Sequence, residues 1–387
     1  MSLNLSKRSE GIVQAEIRVM TIECEKVGGI NLAQGVCDTG VPLPVVSGAK
    51  KAMDDGINSY TRYDGQAELR QSIGRKLVAY NNIVADPETE ITVSAGSTGS
   101  FYCACLAVLD PGDEIILFEP YYGYHVNTLL AADAVPKCVA LSMPDLKFSL
   151  ADLEKAVTKK TKGIMICTPA NPSGKVFTRE ELKIIADFAI RHDIFVFTDE
   201  IYEYFIYDGA THVSPGSLPE IADRTISIFG YSKTFSITGW RIGYSVCRKK
   251  WADMIGYVND LVYVCAPAPL QMGVAAGIDE LSSGYYKELC AEFLKKRDMI
   301  CSALSKAGLN PIVPQGAYYV LADAVKLPGK SSKEKAMHLL AKTGVASVPG
   351  SAFYEKSDNN LLRFCFAKTD DVLAEACRRI ESLRERF

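Results

Sequence analysis

Between about residues 90 and 250 the chain alternates short apolar runs with longer amphipathic stretches. The runs are Ile91 to Ala95, Glu114 to Glu119, Gly163 to Thr168, Ile194 to Thr198, Thr225 to Phe229 and Ile242 to Cys247. Near-continuous apolar runs of this length suit strands buried on both faces. Among the stretches between them, Thr178 to His192 opens with Thr178 three residues before Glu181, the pattern of a capping box at a helix start. Such alternation predicts an α/β fold: an open, mostly parallel sheet with helices on both faces and ligands gathered at the carboxyl ends of the strands. After about Ser283 the pattern changes. A long helical stretch, Tyr285 to Ala307, precedes short strands near Ala317 to Leu321 and Leu362 to Phe366 and a last helix from Asp370 to Arg384. That predicts a smaller α+β unit over 285–387, completed by the N-terminal segment 1–46, around a large unit over 47–284.

A length of 387 residues agrees with two units, because a single core stops growing below that size. Net charge is −3, too little basic field to draw nucleic acid or an anionic membrane, which leaves small ligands as the expected partners. The twelve cysteines include no CxxC pair, and four histidines offer little to complete a zinc cage, so no metal site is expected. They read as small buried hydrophobes in a reducing cytoplasm. Met1 to Gly11, with Lys7, Arg8 and Glu10, holds no apolar run long enough for a signal-peptide core. Leu261 to Ile278 is uncharged and as long as a short membrane span, but Pro267, Pro269, Gly273 and Gly277 interrupt it, and a buried helix after a Pro-rich loop is the expectation.

Four of the strand runs end in polar residues. After Ile91-Thr92-Val93 comes Ser94-Ala95-Gly96-Ser97-Thr98-Gly99, a turn opening a helix whose free N–H groups could cradle a phosphate or simply form a plain cap. It lacks GxGxxG spacing, and no glycine stands five residues before Gly174-Lys175 to make a Walker loop. The run to Thr168 leads into Pro169-Ala170-Asn171-Pro172-Ser173-Gly174, readable as an ordinary turn. The run to Thr198 ends in Asp199-Glu200-Ile201-Tyr202, where the acid caps the next helix or faces a pyridine nitrogen. The run to Phe229 leads to Ser232-Lys233-Thr234-Phe235, followed by Gly239-Trp240-Arg241, which is neither a charged face nor a helical stripe.

These segments together resemble the class I/II aminotransferases, pyridoxal 5'-phosphate (PLP) enzymes of fold type I, over nearly the whole chain. Asn171 to Gly174 is similar to their NP[ST]G signature, Asp199 to Tyr202 to their DE-x-Y element, and Ser232-Lys233 through Trp240-Arg241 to their SK…GWR box. Weaker likenesses are Gly35, Tyr60-Thr61 before Gly65 and Leu69-Arg70, Pro120-Tyr121-Tyr122, and Leu362-Arg363-Phe364. The resemblance implies that Lys233 forms the internal aldimine, Asp199 pairs with the ring nitrogen, and Asn171 and Tyr202 bond the phenolic oxygen. It further implies that Gly96, Ser97, Thr98, Ser232 and Arg241 hold the phosphate, with Tyr60 reaching it from the partner of a homodimer, and that Tyr122 lies over the ring. Arg363 would take the substrate's α-carboxylate, a two-pronged pairing a lysine cannot copy, with Gly35, Asn171 and Ile17 beside it. Gly230 stands where relatives often carry serine, so Ser232 would make that phosphate contact alone.

The activity implied is transfer of an amino group from an L-amino acid to a 2-oxo acid by a two-step exchange. A carbon–sulfur β-lyase on the same site is the enzymatic alternative. A non-catalytic PLP-binding regulator is the other, and no basic helix-turn-helix precedes the cofactor region to favour it. A dicarboxylate substrate would need a further cation, which the helix from Phe101 to Leu109 lacks and Arg62 of a partner chain could supply. The segment Glu16-Ile17-Arg18-Val19 resembles a substrate-covering arm, and with Tyr124 and Tyr318 it suggests that an apolar or aromatic side chain is accepted.

Overall fold

The computed structural model describes residues 3–6, 9, 11–12, 14–356 and 359–383; Lys7, Arg8, Glu10 and Arg384 fall outside these. In chain order the strands begin with β1 (Ile30–Asn31), β2 (Ile91–Ala95), β3 (Glu114–Glu119) and β4 (Val135–Ala140). Next come β5 (Thr161–Cys167), β6 (Phe195–Asp199), β7 (Thr225–Gly230) and β8 (Ile242–Val246). All six apolar runs become strands of one seven-stranded sheet, ordered β2-β8-β7-β6-β5-β3-β4. The seventh, β4, carries Pro136 and Lys137 and lies at the sheet's edge, where a missing donor and a charged side chain are tolerated.

Strand β8 pairs antiparallel with both neighbours while the other pairings are parallel. This reversal has a chemical consequence. The carboxyl ends of β2, β5, β6 and β7 and the amino end of β8 lie along the same edge, so residues just before Ile242 meet residues just after Ala95, Cys167, Asp199 and Gly230.

Alternation along the strands divides the core between two faces. Ile116, Ile164, Ile166 and Val196 pack with Leu182, Ile185 and Phe188 of the helix Arg179–Arg191. Ile115, Leu117, Met165 and Phe197 point the other way, toward Phe101 and Ile255 on the helices Gly96–Val108 and Lys249–Tyr263. Burial of each such side chain is worth about 1.5–3 kcal/mol. The helix from Arg179 is capped as its sequence predicts: the Glu181 N–H donates to Thr178 Oγ1 at 3.2 Å and the Thr178 N–H donates to Glu181 Oε2 at 3.0 Å.

Beyond a 24-residue helix, Ser283–Lys306, come β9 (Asn310–Ile312), β10 (Tyr319–Asp323), β11 (Val345–Ala346), β12 (Val348–Pro349) and β13 (Leu361–Cys365). Four of them form an antiparallel sheet, β12-β13-β10-β9, in which Arg363 lies opposite both Val348 and Leu321. Strand β1 pairs in parallel with β11, and Met20, Cys24, Leu32 and Ala33 share a core with Leu304, Val320 and Phe364. The last helix spans Asp370–Glu381. The stretch Leu261 to Ile278 is divided between Lys249–Tyr263 and a second helix, Ala268–Glu280. Among the described residues no helix is long and apolar enough to cross a membrane.

Candidate active site

At the sheet edge a cavity of about 470 Å³ collects side chains from the strand ends, the N-terminal arm and β13. Its walls include Lys233, Asp199, Tyr202, Asn171, Arg241 and Arg363, together with Ser97, Thr98, Tyr122, Ser232, Gly35 and Ile17. Two predicted residues are absent from its lining, Gly96 and Tyr60.

Gly96 stands directly behind the wall. It has φ +76°, and a Cβ there would come within 2.3 Å of Arg241 Nη2, so glycine is what lets the guanidinium lie against the turn. Arg241 itself adopts the left-handed region, φ 58°, which costs a non-glycine residue about 1–3 kcal/mol and recurs at functional sites. Its Nη1 donates to the Thr238 carbonyl at 2.9 Å. The helix Gly96–Val108 starts at Ala95 with no side-chain cap, leaving its first N–H groups and positive dipole end for an anion.

The Lys233 Nζ donates to the Gly35 carbonyl at 2.9 Å and lies 5.7 Å from the Tyr318 ring centre. Burial, aided by the nearby charges of Arg241 and Arg363, lowers its pKa below the ordinary lysine value. Asp199 is anchored twice: Oδ1 accepts the Ile201 N–H at 3.2 Å, and Oδ2 lies 2.9 Å from His125 Nε2. His125 is held edge-on between Phe101, 5.5 Å away, and Tyr122, 5.3 Å away.

Arg363 is fully buried in β13. Its Nη1 donates to Asn171 Oδ1 at 2.8 Å, Nη2 donates to the Ala33 carbonyl, and Nε has no partner among the described residues. The Tyr319 ring packs 4.3 Å from its guanidinium, and the Tyr319 hydroxyl is 3.0 Å from that of Tyr202. Gly35 makes room for this arrangement, since a Cβ there would lie 1.9 Å from the Tyr319 hydroxyl. Burial raises the Tyr202 pKa well above its usual value, which keeps the phenol protonated and able to donate.

Among the cavity residues that sequence reasoning missed are His125 and Tyr319. His125 stands one helical turn past Tyr122, at the start of Gly123–Ala131, so the Pro120-Tyr121-Tyr122 segment was its nearest signal. Tyr319 lines the cavity where Tyr318 was expected; Tyr318, just before β10, is wholly buried, its hydroxyl donating to the Gly35 carbonyl at 3.3 Å and its ring packed 4.9 Å from that of Tyr319. Arg18 and Ile17, from the segment read as a substrate-covering arm, both border the cavity. Arg62, the further cation expected from a partner chain, is paired within this chain with Asp64 and reaches Glu88 at 3.2 Å. Tyr60 is 82% exposed and outside this chain's cavity.

An uncapped helix end beside a guanidinium, an amine of lowered pKa, and a buried guanidinium with an unsatisfied N–H match an anionic, aldehyde-bearing cofactor and a carboxylate substrate. Comparison with known proteins gives the class. The profile described as aminotransferase class I and II matches residues 27–380. The aspartate aminotransferase of Pyrococcus abyssi is 35% identical over 388 residues, 99% of each chain. Aromatic-amino-acid aminotransferase 2 of Thermococcus litoralis is 32% identical over 382 residues, 98% of each. The structure of N-succinyldiaminopimelate aminotransferase from Mycobacterium tuberculosis superposes with a TM-score of 0.94 at 31% identity, covering 98% of this chain and 100% of that one. The chain belongs to the class I and II aminotransferases, which are PLP-dependent transaminases of fold type I.

Proposed function

We propose that this cavity exchanges an amino group between an L-amino acid and a 2-oxo acid, with Lys233 as both the covalent anchor of PLP and the carrier of the substrate's proton. The observation that carries the reading is a lysine of lowered pKa sharing one cavity with a carboxylate, Asp199, and two guanidiniums, Arg241 and Arg363. Bound there, PLP supplies an electrophilic aldehyde and a ring that accepts an electron pair from the substrate's Cα. Lys233 Nζ, as the free amine, takes the proton from Cα. Asp199, oriented by His125 and the Ile201 N–H, faces the ring nitrogen as a carboxylate. Asn171, its carbonyl oxygen engaged by Arg363, offers its amide N–H groups, and Tyr202 its hydroxyl, to the phenolic oxygen. Gly96, Ser97, Thr98, Ser232 and Arg241 receive the phosphate, and Tyr122 covers the ring. Residues 47–284 form the cofactor unit, while 1–46 and 285–387 bring Arg363 and the arm.

Homodimer formation completes the phosphate end in this reading. Thr98 and Arg241 are exposed in the single chain. Tyr60 is exposed, and three residues on, Tyr63 meets the ring of Tyr257 at 5.2 Å, on the helix whose Leu261 is 86% exposed. All twelve cysteines are free, which suits a cytoplasmic protein.

The test is a single-turnover screen in which holoenzyme is mixed with each amino acid, without any 2-oxo acid, while the cofactor spectrum is followed. One-for-one conversion of the cofactor to its amine form supports transfer. Catalytic release of pyruvate and ammonia from cystathionine would instead favour the β-lyase. Two substitutions probe the assignments. Gly96→Ala is expected to weaken PLP binding by about tenfold or more, the cost of a displaced Arg241 and a strained left-handed turn, read by absorbance titration of apoenzyme with unchanged circular dichroism. His125→Ala removes a charge-assisted bond of about 1.5–3 kcal/mol. It should lower kcat about tenfold and shift the pH at which the bound cofactor changes colour, with His125→Gln recovering part of both.

A further inference from the structure

Tyr202 and Tyr319 are both buried, and their hydroxyls lie 3.0 Å apart, each with no other hydrogen-bond partner among the described residues. A phenol has one proton to give and lone pairs with which to receive. Burial raises the pKa of both, opposed at Tyr319 by the charge of Arg363, so each keeps its proton. In the chain alone either hydroxyl can be the donor. Once the Tyr202 proton points at a different acceptor, only Tyr319 can donate between the two.

Tyr319 is well fixed for that task. Its backbone is paired in β10 opposite Cys365, and its ring packs 4.3 Å from the Arg363 guanidinium and 4.9 Å from the Tyr318 ring. Its hydroxyl fills the space left by the missing side chain of Gly35, where a Cβ would lie 1.9 Å away. We propose that Tyr319 is a positioning residue: its hydroxyl donates to the Tyr202 oxygen and so directs the Tyr202 proton onto the cofactor's phenolic oxygen, a role that rests on the Tyr202 contact proposed above. Two donors in series polarise each other, so the second strengthens the first. Without the Tyr319 hydroxyl, the Tyr202 proton is free to rotate away, and a buried oxygen loses its donor.

Tyr319→Phe tests this, because it keeps the ring against Arg363 and removes only the hydroxyl. Apoenzyme of the wild type, Tyr319→Phe, Tyr202→Phe and the double variant is titrated with PLP and with 3-deoxypyridoxal 5'-phosphate, which lacks the phenolic oxygen, with circular dichroism as the check on folding. Tyr319→Phe is expected to weaken PLP binding by about three- to tenfold, the range of one neutral hydrogen bond, and to leave the affinity for the deoxy analogue within about twofold. The pH at which bound PLP changes colour should rise by about half a unit, because a donor at the phenolic oxygen favours the form with more negative charge there. In the double variant Tyr319→Phe should add nothing to the effect of Tyr202→Phe, since it acts through that residue. Equal losses for the two cofactors would assign Tyr319 to packing and overturn the proposal, as would no loss for either, or full additivity in the double variant. Failure of the Tyr202 contact itself looks different: Tyr202→Phe would then not discriminate between PLP and the deoxy analogue.

Discussion

Lys233→Ala protein is expected to lose the visible absorbance of bound PLP and at least about 10⁴-fold in the amino-acid half-reaction, the scale at which a covalent anchor and a general base are removed together. The size of the effect follows from its position. Lys233 is the one lysine bordering the cavity among the described residues, and its Nζ is withdrawn from water onto the Gly35 carbonyl. An ordinary lysine, with a pKa near about 10.4, is charged at neutral pH and cannot take a proton. Burial first, then Arg241 and Arg363, lower this one, so the free amine is populated at lower pH. The same shift fixes a sign for stability. The unfolded chain keeps the lysine proton to higher pH than the folded apoenzyme does, so across the interval between the two pKa values the apoenzyme gains stability as pH rises. Lys233→Ala should flatten that gain in urea titrations. Lys233→Arg separates charge from basicity, since a guanidinium stays protonated throughout; it should be as inactive as alanine. Wild-type exchange rates in either variant would remove Lys233 from its role.

The sequence was most informative where backbone and chemistry coincide. Strands β2, β3, β6, β7 and β8 are readable because continuous apolar runs have few other uses, and the polar residues after them mark the edge where ligands collect. Boundaries drift by a residue or two. Gly163 to Thr168 becomes Thr161–Cys167, because hydrogen bonding to a neighbouring strand, and not hydrophobicity, ends a strand. Strand β4 was illegible for a physical reason: an edge strand bears Pro136 and Lys137 without penalty, and so loses the apolar signature.

In the site, motif residues were legible and their supports were not. Nothing in the local sequence says that His125 reaches Asp199 across 74 positions, or that Tyr319 joins Arg363 to Tyr202. The first joins a helix to the end of β6, and the second joins β10 and β13 of the smaller sheet to the turn after β6. The arm around Ile17 and Arg18 was legible only as a resemblance; what brings it to the cavity is long-range, the pairing of β1 with β11, the core around Met20 and the ion pair of Glu16 with Lys333.

The second large effect is expected at Arg363. Arg363→Ala should lower kcat/KM for every amino acid by about 10³-fold, the loss of a two-pronged, charge-assisted pairing whose bonds are worth about 1.5–3 kcal/mol each. The substitution also empties a buried position between the Tyr319 and Phe353 rings, 4.3 and 5.1 Å from the guanidinium, and frees the Asn171 carbonyl from its donor. A loss could therefore arise through a displaced Asn171 as well as through the substrate. Two measurements separate these routes. If Asn171 were the cause, the absorbance of bound PLP and its pH dependence would change before any substrate is added. If the α-carboxylate is the cause, that spectrum stays as in the wild type, and 2-phenylethylamine, which has no carboxylate, reacts equally slowly with both proteins. Arg363→Lys sharpens the distinction, because it keeps the charge and loses the fork. Recovery to wild-type values by lysine would show that charge alone suffices at this position and would overturn the two-pronged assignment. The geometry argues for the fork: two N–H groups are committed to Asn171 and Ala33, Nε stands unpaired, and a guanidinium in so buried a place is stable only with an anion against it.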